Sequence, residues 1–153
     1  MNRVSLPELI AAGGGAGFSP YAPGTAGSAV AALVGAGLLK LHPTALITAA
    51  LTASLVGFWA VRAARVDGDP GWVVIDEFAG QLIALLGLAH PSGTGLLAAF
   101  LLFRLLDIVK PGPIGWADRQ TGAFGIMADD IVAGLIAAGL LLGLRAAWPG
   151  ALG

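Results

Sequence analysis

The chain of 153 residues has no cysteine, which excludes a disulfide, a thiolate metal site and a cysteine nucleophile. Charge is almost as scarce. Only 11% of the residues are charged and the formal net charge is −1, so there is no polyanion-binding signature and nucleic acid is set aside as a partner. There are two histidines, His42 and His90, and both fall beside prolines in turns. What remains is 57% hydrophobic with a mean hydropathy of +0.86, the composition of an integral membrane protein and not of a soluble globule. The start, MNRVSLPELIAAGGG, carries too short an apolar run before its glycines to be a secretory signal peptide.

The pattern predicts an all-α fold: a polytopic membrane helical bundle of about five apolar helices plus a short N-terminal interfacial helix, in a single domain over residues 1–153. Ser5 and Glu8 fit a capping box for the short helix, and Gly13-Gly14-Gly15 ends it. The apolar runs extend over about 25–41, 44–61, 70–89, 93–110 and 130–148. The third, opened by Asp69 as N-cap and Pro70, has about 20 residues, enough to cross roughly 30 Å of hydrocarbon. With five spans, Arg3, Arg62, Arg65, Arg104, Lys110 and Arg119 fall on the side of the N-terminus, against Lys40 and Arg145 opposite. The positive-inside rule then places the N-terminus, and every carboxylate in the sequence, in the cytoplasm.

Charge concentrates in FRLLDIVKPGPIGWADRQTGAFGIMADD, residues 103–130, where three basic side chains and four carboxylates share 28 residues. Arg104, Asp107 and Lys110 recur at i, i+3 and i+6 and line one helix face up to Pro111. A polar, glycine-containing loop carries Asp118 and Arg119, and Asp129-Asp130 opens the last apolar run. Asp76 and Glu77 lie nearly two turns inside the third helix. An ionised carboxylate facing lipid there costs about 2.5–3.5 kcal/mol, so both must face protein, and Glu77 is expected to meet Arg104.

Seven carboxylates, Asp69, Asp76, Glu77, Asp107, Asp118, Asp129 and Asp130, outnumber Arg104, Lys110 and Arg119. Spare oxygen ligands without histidine or cysteine favour Mg²⁺ over zinc. For Asp129-Asp130 the plainer alternative is N-capping of the last helix, and one of the pair can cap while the other binds metal. Pro23-Gly24-Thr25-Ala26-Gly27-Ser28 offers a helix N-terminus to an anion, although, without a partner motif, an ordinary proline-glycine turn with Thr25 as cap explains it better. Trp72 and Trp116 mark a water interface. Gln81 is either a supporting hydrogen-bond donor or an interhelical bond.

Several phosphate chemistries fail on their residues. A histidine nucleophile has no histidine on the charged side, and the type 2 phosphatidic acid phosphatase pattern is missing. Asp67-Gly68-Asp69 lacks the threonine of a haloacid dehalogenase, and the CDP-alcohol phosphotransferase aspartates are absent.

Three blocks, SPYAPGTAGS (19–28), DPGWVVIDEFAGQLIAL (69–85) and FRLLDIVKPGPIGWADRQTGAFGIMADDIVAG (103–134), in this order, resemble the signature blocks of the phosphatidylglycerophosphatase A family. The resemblance implies a magnesium-dependent bacterial lipid phosphatase of the cytoplasmic (inner) membrane, converting phosphatidylglycerophosphate to phosphatidylglycerol and inorganic phosphate. In that scheme Asp76, Glu77, Asp129 and Asp130 hold Mg²⁺, and Arg104, Lys110 and Arg119 bind the phosphomonoester. Thr25, Gly27 and Ser28 receive either phosphate of the lipid. Asp107 or Asp118 is the base for a metal-activated water, with a transient aspartyl-phosphate left open. The rivals are a transporter or scaffold without enzymatic activity, and a phospholipid-transferring synthase.

Overall fold

The computed structural model describes residues 4–152, and every regular element among them is helical. Arg3 lies outside the described residues. Helix α1 (Leu6–Ala11) is opened by the expected capping box: the Glu8 carboxylate accepts from the Ser5 N–H at 2.7 Å, and Ser5 Oγ accepts from the Glu8 N–H at 3.4 Å. A 3-10 segment, Gly13–Phe18, follows, with Gly14 and Gly15 at φ of 71° and 111°, where a side chain would strain the backbone. Helices α2 (Pro23–Leu41) and α3 (Pro43–Ala63) are joined by His42, whose Nδ1 accepts from the Thr44 N–H at 3.2 Å. Then come α4 (Ile75–Leu85), α5 (Gly93–Val109), the short α6 (Pro113–Asp118) and α7 (Gly122–Ala147).

Three of these helices, α2, α3 and α7, are long and apolar enough to cross a membrane, so the expected count of about five apolar spans is not confirmed. Helix α5, with 17 residues, extends about 25 Å at the usual rise. Helix α4 departs furthest from expectation, since its 11 residues give about 16 Å instead of a full crossing from Pro70 to Ala89. Asp69 does not cap it. The Val73 N–H bonds back to Pro70 in a turn, and the Val74 N–H donates to the Ala11 carbonyl, so 70–74 is held as a non-helical lead-in. Such backbone is tolerated at depth only inside protein. Helix α4 meets that condition, because nearly all its residues are buried against α2, α3, α5 and α7.

The outer surfaces of the longer helices remain apolar: Leu33, Leu55 and Ile108 are each at least 70% exposed, the residue type expected against lipid. Inside, Leu39, Leu46, Leu85, Leu88 and Leu141 form one packed core, while Ala60, Val61, Ile75, Ala79 and Met127 form another nearer the start of α4.

Helices α4 and α7 run parallel and cross at two glycines. A Cβ on Gly134 would fall on the Gly80 carbonyl oxygen, and one on Gly80 would lie 2.5 Å from the Asp130 carbonyl oxygen and 2.5 Å from the Phe103 ring. Only hydrogen at both positions lets the two backbones touch. Asp76 stands four residues before Gly80, and Asp130 four residues before Gly134. One helical turn from the crossing, therefore, carboxylates of both helices must face each other.

Candidate active site

The crossing produces two carboxylate groups that share one residue. Oxygens from Asp76, Glu77 and Asp130 lie within 4.8 Å of one another, and so do oxygens from Asp107, Asp129 and Asp130. Asp76 and Glu77 occupy the first turn of α4, where the helix dipole favours negative charge, and not a position two turns inside. Asp129 and Asp130 show the opposite correction. Helix α7 begins at Gly122, so the pair sits about two turns within it and caps nothing. The polar-loop expectation failed because Gly122 and Gly125 look like breakers; Gly125 instead packs its bare Cα against the Gln120 carbonyl.

Two cations border the groups. Arg104 Nη1 pairs most closely with Asp107, reaches Glu77 Oε1 at 3.9 Å as expected, and donates to Ser28 Oγ at 3.4 Å. Lys110 does not continue the face of Arg104 and Asp107. It precedes Pro111, which disfavours helical geometry, and it takes a left-handed conformation at φ 50°. That turn aims Nζ at Asp118 on α6 and at Asp129 Oδ2, 2.6 Å away. Burial pushes the Lys110 ammonium down, but hydrogen bonds and charge from Asp118 and Asp129 outweigh it and hold the group above its ordinary value, so it stays cationic.

The other expected site residues divide. Asp118 joins the site through Lys110, from a side chain 44% exposed. Ser28 is buried and hydrogen-bonded to the Gly24 carbonyl at 2.9 Å. Thr25 is exposed at the uncapped start of α2, and Gly27 packs on Val74, where a Cβ would come within 2.8 Å of the valine Cβ. Arg119 is exposed at the end of α6, with no ion pair among the described residues. Trp116 is exposed as an interface residue would be, whereas Trp72 is half-buried and stacks on Phe18. Gln81 is fully buried and neither amide atom has a hydrogen-bond partner among the described residues, so the interhelical bond is not formed.

Two contributors were not anticipated. Gly24 lets the start of α2 abut the Glu77 carboxylate, since a Cβ there would collide with Oε1. The second is a placement: Asp107, expected as a candidate base, completes a carboxylate group with Asp129 and Asp130 in addition to pairing with Arg104. Beside them a cavity of about 370 Å³, lined by Asp67, Asp69, Asp118, Gln120, Thr121 and Asp129 among others, opens between the α3–α4 connection and α7.

The donor set suits a hard divalent cation. Asp76 and Asp130 are only 7% and 2% exposed, and buried oxygens of Asp76, Glu77, Asp129 and Asp130 have no hydrogen-bond partner. Uncompensated buried carboxylate oxygens are costly, and a cation bound by oxygen ligands removes that cost. With Arg104 and Lys110 at the rim, the arrangement can hold a metal and a phosphate side by side.

The chain is similar to known lipid phosphatases. The chain is 40% identical over 153 aligned residues to Phosphatidylglycerophosphatase A of Escherichia coli, covering 96% of this chain and 88% of that one. It is 38% identical over 146 residues to the Haemophilus influenzae protein of the same name, covering 90% and 89%. It is also 43% identical over 147 residues to a Bacteroides thetaiotaomicron protein named provisionally as a phosphatidylinositol-3-phosphatase, covering 88% and 91%. No solved structure matches the chain significantly. The family described as Phosphatidylglycerophosphatase A matches residues 9–145, spanning all three sequence blocks and both carboxylate groups, and the chain belongs to that family.

Proposed function

We propose that the chain hydrolyses the terminal phosphomonoester of phosphatidylglycerophosphate, giving phosphatidylglycerol and inorganic phosphate, with Mg²⁺ as cofactor. The observation that carries this reading is the pair of buried carboxylate groups sharing Asp130, with unpartnered oxygens and two cations alongside. Family membership supports the substrate.

Asp76, Glu77 and Asp130 would hold the metal, with Asp107 and Asp129 completing the second group around the shared Asp130. When bound, Mg²⁺ supplies charge neutralisation at the phosphoryl oxygens and activation of water. Arg104 binds a phosphoryl oxygen from within its contacts to Asp107, Glu77 and Ser28, and those contacts fix its guanidinium before substrate arrives. Lys110 holds a second oxygen. Asp107 lies within the carboxylate group and is paired with Arg104, whereas Asp118, although paired with Lys110, is exposed on the wall of the open cavity and is the base that takes the proton from the attacking water. The bond from phosphorus to the glycerol oxygen breaks, and that oxygen takes up a proton as the alcohol leaves.

The protein lies in the bacterial inner membrane with this end toward the cytoplasm. Arg62, Arg65, Arg104, Lys110 and Arg119 cluster at the site's end, against Lys40 and Arg145 at the other. The acyl chains stay in the leaflet. The test is phosphate release by detergent-purified protein from phosphatidylglycerophosphate, phosphatidylinositol 3-phosphate and phosphatidic acid, each with Mg²⁺ and with EDTA. The proposal expects the highest kcat/KM for phosphatidylglycerophosphate and no release in EDTA. Preference for another lipid would refute the substrate, and activity in EDTA would refute the cofactor.

A further inference from the structure

A second cleft of about 370 Å³ adjoins the acidic cavity at the same end of the bundle, lined by Phe58, Arg62, Arg65 and Phe124. The two spaces share Val66, Thr121 and Gly122 as a common wall. One holds carboxylates and the other holds arginines. Both guanidiniums are on exposed residues, and neither forms an ion pair among the described residues, so their hydrogen-bonding forks are free for a ligand. Arg65 stands at φ 51°, a conformation that a non-glycine residue adopts at a cost and that turns the chain at the end of α3. Phe58 and Phe124 are 38% and 52% exposed and flank the arginines, so an apolar border faces the same opening.

Basic residues at a helix end by a membrane ordinarily serve as topological anchors. The shared wall also sets Arg62 and Arg65 beside the acidic cavity. A ligand whose phosphomonoester sits by Asp118 and Asp129 has the space that holds both arginines next to it, across Val66 and Thr121. We propose that Arg62 and Arg65 bind the phosphodiester of the lipid substrate, so that the molecule reaches the site between the end of α3 and the start of α7, its acyl chains leaving past Phe58 and Phe124. This rests on the lipid phosphatase reading above. It assigns two specificity-determining residues: the site selects lipids carrying both a diester and a terminal monoester on one headgroup over lipids with a monoester alone.

The experiment uses the full chain in nonionic detergent micelles free of other anionic lipid. It measures KM and kcat for phosphatidylglycerophosphate, and inhibition constants for two competitors. Phosphatidylglycerol has the diester without the monoester, and phosphatidic acid has the monoester without the diester. In the Arg62→Gln/Arg65→Gln variant, KM and the phosphatidylglycerol inhibition constant rise about tenfold, the scale of lost charged hydrogen bonds. The phosphatidic acid constant and kcat stay within about twofold, as for an exposed charge that touches neither. Arg62→Lys/Arg65→Lys keeps the charge and recovers part of the loss.

Equal rises for both competitors would mean that the arginines only attract anionic surfaces, and no rise for either would leave them as anchors; each result overturns the proposal. The single glutamine variants decide the matter in the same way if the double variant is not monodisperse by size exclusion. Wild-type protein that releases no phosphate from phosphatidylglycerophosphate would instead refute the function on which this proposal stands.

Discussion

The two ends of the α4–α7 pair are built from the same kind of contact and put it to opposite uses. At the Gly80–Gly134 crossing the backbones touch, and the turn before it projects Asp76, Glu77 and Asp130 into one small volume. Further along, just past the end of α4, Gly87 packs nearly as closely on Ala138 and Leu141, but there the neighbours are Leu85, Leu88 and Leu141, buried in an apolar core. The near end keeps carboxylate oxygens without partners. Among the described residues, the far end has no carboxylate at all. Close packing thus supplies stability at one end, and at the other it forces like charges together, an arrangement that makes sense when something of opposite charge binds.

This contrast predicts effects that fall off from one end to the other. Asp130→Asn, which breaks both carboxylate groups, should lower kcat on the order of 1,000-fold or more, as expected for losing several kcal/mol of metal-borne stabilisation. Phosphate release by protein that elutes normally from size exclusion checks it. Gly134→Val separates the helices at their crossing and should cost about 1–3 kcal/mol of stability with roughly 100-fold in activity. Gly139→Val, five residues along the same helix where a Cβ meets nothing within 4 Å, should change neither. Thermal unfolding in detergent beside activity separates the two.

Arg104→Gln should lower kcat/KM by about 10- to 100-fold, the range for a charged hydrogen bond to phosphate. At the apolar end Leu85→Ala should lower stability by about 2–4 kcal/mol and leave kcat within about twofold. A large loss of kcat there would erase the distinction between the two ends.

Much of the site was legible in the sequence because charge is so scarce: in a chain with 11% charged residues, carboxylates at 76–77 and 129–130 have few reasons to exist apart from each other. The Glu77–Arg104 approach follows from the cost of a carboxylate facing lipid, and the capping box of α1 from local chemistry alone. Helix limits were harder to read. The sequence makes α4 too long because apolar residues 70–74 and 86–89 look helical, whereas turn bonds and the link from Val74 to Ala11 claim them. The sequence makes α7 too short because Gly122 and Gly125 resemble breakers, whereas Gly125, inside the helix, packs on the Gln120 carbonyl.

The signal that would have fixed the site was present as a repeated pattern, Asp-x-x-Ala-Gly, at Asp76-Glu77-Phe78-Ala79 with Gly80 and again at Asp130-Ile131-Val132-Ala133 with Gly134. Each aspartate stands one turn before a glycine that lets the other helix in. The turn of Lys110 toward Asp118 and Asp129 lay beyond a helical-wheel argument, since it depends on the left-handed residue before Pro111.

The most direct test of the account is Mn²⁺ binding, followed by electron paramagnetic resonance, in the purified protein and in Asp130→Asn, with no lipid substrate present. The account predicts a bound Mn²⁺ signal in the wild type that Mg²⁺ displaces and that Asp130→Asn abolishes or greatly weakens. Wild-type protein that binds no Mn²⁺, or equal binding by the variant, would contradict the claim that the crossing of α4 and α7 builds a divalent-cation site.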